Sequence, residues 1–104
     1  MTIQFNTDNN IKGSEELRKP LIALISEGLS RFSDQITRLE VHLSDENGSK
    51  EGQNDKRCII EARLEGFKPI AVTNHANTYE QAVEGAVDKL KTSLDTMIGR
   101  LKNH

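Results

Sequence analysis

The last quarter of the chain reads as one long amphipathic helix, and this constrains everything before it. Tyr79, Val83, Ala86, Val87, Leu90, Leu94, Met97, Ile98 and Leu101 recur at steps of three and four. That spacing gathers side chains on one stripe of an α-helix. Thr78 and Gln81 in the run T-Y-E-Q have capping-box spacing, so the helix start is marked too. A helix with one apolar face needs a sheet or a second helix to cover it. All but one of the segments upstream read as short strands.

Thr2 to Asn6 alternates, with Ile3 and Phe5 on one face, and predicts a first strand. Asp8-Asn9-Asn10 reads as a turn. Ser14 is placed to cap a helix whose stripe is Leu17, Leu21, Leu24, Ile25, Gly28 and Phe32. Pro20 lacks an N–H and crowds the turn before it, so the regular helix is expected to begin near Lys19 or to kink there. A second strand is expected from about Ile36 to Ser44, with Leu39, Val41 and Leu43 inward and Arg38, Glu40 and His42 outward. The run D-E-N-G-S-K-E-G-Q-N-D from Asp45 to Asp55 holds no apolar side chain and reads as a long, mobile polar hairpin loop.

A third strand follows from Lys56 to Glu65. Cys58, Ile60, Ala62 and Leu64 share one phase, and Arg57, Ile59, Glu61, Arg63 and Glu65 share the other. Gly66-Phe67 marks a tight turn, and Pro69 to Thr73 a fourth strand with proline at its first position or on an edge. The architecture implied is α+β, in the order β-α-β-β-β-α. A mostly antiparallel four-stranded sheet carries both helices on one face and leaves the other open.

Composition narrows the function. The 104 residues predict a single domain, 1–104, with one modest core. Aromatic residues make up 4% and tryptophan is missing, so Leu, Ile, Val and Ala must build that core. A 29% charged fraction and a mean hydropathy of −0.60 leave no stretch for a membrane span. The opening M-T-I-Q-F runs straight into a strand pattern without the basic and apolar regions of a secretory signal. One cysteine forms no internal disulfide and no cysteine-cluster zinc site. The expected location is cytoplasmic. A net charge of −2 gives no global attraction to polyanions, so nucleic-acid binding must rest on a local patch.

Two stretches carry a family resemblance. Asn6-Thr7-Asp8-Asn9-Asn10-Ile11, followed by Ser14-Glu15-Glu16-Leu17-Arg18, resembles the opening of the ribosome hibernation-promoting factors. That family includes the ribosome-associated inhibitor once called a sigma-54 modulation protein. In it a first strand ends in a Gly-x-Asn-like turn and leads to a helix starting near S/T-x-x-L-R. Tyr79, Ala82-Val83-Glu84 and Asp88-Lys89-Leu90 resemble the family's Y-x-A-I-D…D-K-L stretch, and Leu94 and Arg100-Leu101-Lys102-Asn103-His104 fit its last helix. The resemblance spans essentially the whole chain. It implies a fold similar to double-stranded RNA-binding domains. It also implies a non-enzymatic protein, without cofactor or small-molecule substrate, that occupies the mRNA and tRNA channel of the small ribosomal subunit. There it would contact rRNA and inhibit translation during stress or stationary phase. A chain ending at His104 resembles the short form, without the C-terminal dimerisation domain of long members.

The candidate rRNA contacts form three sets. Lys89, Lys91, Arg100 and Lys102 lie toward the end of the last helix, where cations also complement the helix macrodipole. Arg38, Arg57 and Arg63 fall on the outward phases of strands two and three. There they either grip phosphate or pair across strands with Glu40, Glu61 and Glu65. Arg18, in the L-R resemblance, stands with Lys19 near a helix start, where cations oppose the dipole. From Thr78 to His104, Glu80, Glu84, Asp88 and Asp95 offset four basic residues, and members of the family usually carry basic residues where helix one has Leu24 and Glu27. This balance supports an alternative: a protein-interaction module on the same fold that has lost ribosome binding, its partner a protein. Ile59, apolar amid outward charges, fits edge packing or such a surface.

Other features read as structure. His42, His75 and His104 have no neighbours at metal-ligand spacing, with His75 expected in the loop before the last helix. Cys58 is in phase with the core. Glu80, Glu84 and Asp88 lie four apart and read as a solvated face, and the glycines form no phosphate-binding loop.

Overall fold

The computed structural model describes residues 1–8, 14–46 and 55–102, with the helix backbone alone at Ser14 and at 100–102. Its elements are β1 (Thr2–Thr7), α1 (Ser14–Gly28), a one-turn 3-10 helix (Ser30–Phe32), β2 (Ile36–Asp45), β3 (Lys56–Leu64), β4 (Ile70–Ala76) and α2 (Tyr79–Lys102). The turn expected at Asn9-Asn10, the cap by the Ser14 side chain, most of the 45–55 loop and His104 lie outside the described residues.

One mixed sheet runs in the order β1-β2-β3-β4. β1 pairs parallel to β2, with Ile3 opposite Leu39 and Phe5 opposite Val41. Parallel neighbours need a crossover, and α1 lies within it. The β2–β3 and β3–β4 pairs are antiparallel. The inward phases are those of the sequence pattern: Leu39, Val41 and Leu43 on β2, and Cys58, Ile60, Ala62 and Leu64 on β3, are all buried. Val83, Ala86, Val87, Leu90 and Leu94 of α2 and Leu21 and Ile25 of α1 close the core from above. Removing this apolar area from water is the main stabilising term, on the order of 25 cal/mol per Å².

Four expectations need correcting. α1 does not begin at Lys19: it runs from Ser14 with Pro20 inside it. Pro20 and Glu16 are both exposed, so the Glu16 carbonyl that loses its partner faces the solvent side. Phe32 is not on α1 but on the 3-10 turn, buried beside Leu29. β4 continues through Ala76, which places His75 on a strand rather than in a loop. The strand persists because Lys56 pairs with Ala76, and because Asn74, on the core side, donates from Nδ2 to the carbonyl of Ala82 on α2 at 3.2 Å. Finally, Asp45 and Asp55 are buried rather than solvated.

Two close approaches fix how α2 sits. A Cβ at Gly85 would overlap the Asn74 carboxamide, so only glycine leaves room for that group under the helix. A Cβ at Gly28, the last residue of α1, would come within 2.7 Å of Val87 Cγ1. α2 starts as the sequence marks it, with Thr78 Oγ1 accepting from the Gln81 amide at 3.1 Å.

Candidate nucleic-acid interface

The open face of the sheet carries alternating outward residues of all four strands. Arg38 stands opposite Arg63 across the β2–β3 pair, and Glu40 opposite Glu61. Like charges thus meet across the strands, and the opposite charges that satisfy them lie two residues away on the same strand. Arg38 Nη2 is 3.1 Å from Glu40 Oε1 and also donates to Gln4 of β1, while Arg63 Nε is 3.1 Å from Glu61 Oε1. Arg57 donates to Ser44 Oγ at 3.2 Å and pairs with Glu46 at 3.2 Å. His75 Nε2 meets the same Glu46 oxygen at 3.1 Å. Glu40 and Glu61 are the partners expected from the sequence, but each pairs along its own strand rather than across strands, and Glu46 takes the place expected of Glu65. Ile59 is half-buried between His42 and Thr73 in register, beside a shallow cavity also lined by Asn6, Asp8 and Arg57.

The helix side is different. Lys89 Nζ reaches back to the sheet and donates to the Thr73 carbonyl of β4 at 2.7 Å. Arg18 is exposed on α1 beside Lys19 and Ile22, with no carboxylate partner among the described residues. Lys91 lines a groove of about 810 Å³ between α1 and α2. The Arg100 and Lys102 side chains, on the last turns of α2, lie outside the described residues. The candidate cations are therefore not brought to one place. They divide between the open sheet face and the helix side, and among the described side chains Arg18, Lys89 and Lys91 are the ones without a carboxylate partner. Arg31, which no sequence signal singled out, ties the 3-10 turn to α2 through both oxygens of Asp95, at 2.6 and 2.7 Å.

A buried polar cluster closes the base of the β2–β3 hairpin. Lys56 Nζ is 3.1 Å from both Asp45 and Asp55, and 5.5 Å from the centre of the Tyr79 ring. The hydrogen bonds that Lys56 donates to the two carboxylates raise its pKa above the ordinary value, and burial followed by the charge of Asp45 raises that of Tyr79. The sequence hid this cluster because its carboxylates open and close a run of polar residues; the signal was the strand phase, which carries Asp45 inward behind Leu43. Cys58 is fully buried, and desolvation pushes its thiol up to about 12, far from the range of a nucleophile. No group of His, Cys, Asp and Glu among the described residues is arranged to hold a metal ion. No described helix is long and apolar enough to cross a membrane.

This sheet-and-two-helix fold defines a structural class with solved members. The N-terminal domain of Protein Y from Thermus thermophilus superposes with a TM-score of 0.72 at 21% identity, covering 93% of this chain and 99% of that one. A ribosomal subunit interface protein from Coxiella burnetii superposes with a TM-score of 0.71 at 20% identity, covering 95% of this chain and 99% of its own. At these identities it is the fold that is shared. The sequence has no match among curated proteins. The family model described as sigma 54 modulation protein / S30EA ribosomal protein matches residues 5–102, and the chain belongs to that family.

Proposed function

We propose that this protein associates with the ribosome as a non-enzymatic factor. It binds rRNA of the small subunit in the mRNA and tRNA channel and inhibits translation there. The observation that carries the reading is the family match over residues 5–102. The two similar structures, the N-terminal domain of Protein Y and a ribosomal subunit interface protein, agree with it. The contacts proposed are Arg18, Lys89, Lys91, Arg100 and Lys102 on the helices and Arg38, Arg57 and Arg63 on the sheet. The helical set is favoured for phosphate contact, because each sheet arginine already pairs with a carboxylate.

Phosphate contacts make binding fall steeply with salt. Co-sedimentation with ribosomes and separated subunits, at low salt and at about 150 mM, is therefore the test. The expected result is association with the small subunit that weakens as salt rises, and that weakens further in the Lys89→Glu/Lys91→Glu variant. Unchanged sedimentation of that variant would remove these lysines from the interface. No association even at low salt would overturn the proposal and leave the protein-interaction module.

A further inference from the structure

We propose that the groove between α1 and α2 is a docking site for a basic polypeptide segment carrying an apolar anchor residue. The helices approach closely where Gly28 packs against Val87. Beside that contact lies an open groove of about 810 Å³. This is within the range of pockets that take side chains or small ligands, roughly 300–1,000 Å³. Leu24 and Val87 form an apolar base, with Pro20 and Ala23 exposed along one wall.

The rim selects the occupant. Glu27, Glu84 and Asp88 stand around the groove, exposed, with no ion pair or hydrogen bond to their carboxylates among the described residues. Their placement does nothing for the helices that bear them. Glu27 is in the last turn of α1, where the macrodipole disfavours an anion and no basic residue compensates. Glu84 and Asp88 are four apart on α2, where like charges repel. Against three carboxylates the groove holds one cation, Lys91. Such a rim attracts ammonium and guanidinium groups, while the base asks for an aliphatic side chain. A second copy docked groove to groove would set one acidic rim against another. A cationic segment with an apolar anchor satisfies both rim and base. This inference does not depend on rRNA contact, and it gives the helix side a protein ligand.

The test is a ¹⁵N–¹H NMR titration of the intact protein with four probes. One is a short peptide alternating Lys or Arg with Leu. The others are the same peptide with Ser for Leu, the same with Glu for Lys and Arg, and a uridine oligonucleotide. The first peptide is expected to shift the amides of Ala23, Leu24, Glu27, Val87 and Lys91, more weakly at about 150 mM salt than at low salt. The Glu27→Gln/Glu84→Gln/Asp88→Asn variant alters only exposed side chains, and its spectrum reports whether it folds. It should lower the affinity about tenfold at low salt, and Lys91→Gln in the parent protein should raise it. The proposal is overturned if those amides stay unshifted or if the serine peptide binds as well as the leucine one. It is equally overturned if the acidic peptide shifts the same amides, or if the oligonucleotide shifts those of Ala23, Leu24 and Glu27. Loss of ribosome co-sedimentation with groove binding intact would count against the ribosomal reading alone.

Discussion

On the open face of the sheet, Arg38, Arg57 and Arg63 each end on a carboxylate at 3.1 to 3.2 Å. On the helix side, Glu27, Glu84 and Asp88 end on none of the described residues' donors. The two surfaces hold similar residue types and use them oppositely. Cross-strand register on the sheet brings arginine against arginine and glutamate against glutamate, so charge is settled along each strand. Beside the close contact of the two helices, their charges are left facing a groove. The sheet face is closed to new ionic partners except by exchange. The groove gains from any cation that enters it.

Several measurements break or sharpen this contrast. The largest effect should come from thiol labelling, which separates the two sides of β3. Cys58 on the core side should react roughly 10³-fold more slowly in the folded protein than in denatured chain, because it must wait for unfolding. A thiol placed at the half-buried outer position, in Cys58→Ala/Ile59→Cys, should label at least about 10²-fold faster than Cys58. Equal rates would mean that β3 does not separate a core face from an open one.

Stability should show the same division. Ile60→Ala, inside, is expected to cost about 2–5 kcal/mol in chemical denaturation, and Ile59→Ala, outside, about 1 kcal/mol or less. Next is the fit beneath α2. Gly85→Ala should destabilise by about 1–2 kcal/mol, because its methyl displaces the Asn74 carboxamide. In an Asn74→Ala background the same change should stabilise by up to about 1 kcal/mol, the ordinary helix preference of alanine over glycine. Failure of the sign to reverse would show that Asn74 is not what excludes a side chain at Gly85.

The smallest effects concern the charges. Arg57→Met, which removes the Glu46 pair from the sheet face, should cost at most about 1 kcal/mol. Glu84→Gln, which relieves repulsion by Asp88, should stabilise by about 0.2–0.5 kcal/mol. Opposite signs sharpen the contrast, and equal signs break it.

Alkaline pH probes the hairpin base. Lys56 and Tyr79 both hold their protons more tightly folded than unfolded. Their contribution is complete below their ordinary values, near 10.5 and 10.0, and is lost as pH rises through the raised folded values. Unfolding midpoints followed upward from pH 9 should therefore fall less in Lys56→Met/Tyr79→Phe than in the parent.

The fold was legible where burial follows a simple period. Alternation placed Leu39, Val41 and Leu43 of β2 and Cys58, Ile60, Ala62 and Leu64 of β3 inward, and the three- and four-residue steps of α2 placed its stripe. The misses have physical causes. Pro20 suggests a helix start near Lys19 as readily as a kink, because propensity counts the lost hydrogen bond and not whether solvent faces the freed carbonyl. Asn74 and His75 looked like loop residues until α2 supplied carbonyl partners for Asn74. Asp45 and Asp55 looked solvated because Lys56, their partner, sits just past the polar run. Most of the candidate site residues were legible as outward cations, and Glu40 and Glu61 as partners, but the partner of Arg57 was not: Glu46 lies in the turn after β2, and the groove depends on how far two distant helices separate. Glu84 and Asp88 read as an ordinary solvated face because nothing in one helix reveals the other wall.

The 2.7 Å bond from Lys89 to the Thr73 carbonyl has a further consequence. β4 is the last strand of the sheet, and a border strand offers unsatisfied backbone groups to any extended chain that drifts past. The Lys89 ammonium group puts a positive charge on that border strand, and a charge on an edge discourages another chain from extending the sheet. Lys89 thereby guards against strand-to-strand aggregation, and replacing it risks poorer solubility before any change in ribosome binding is measured.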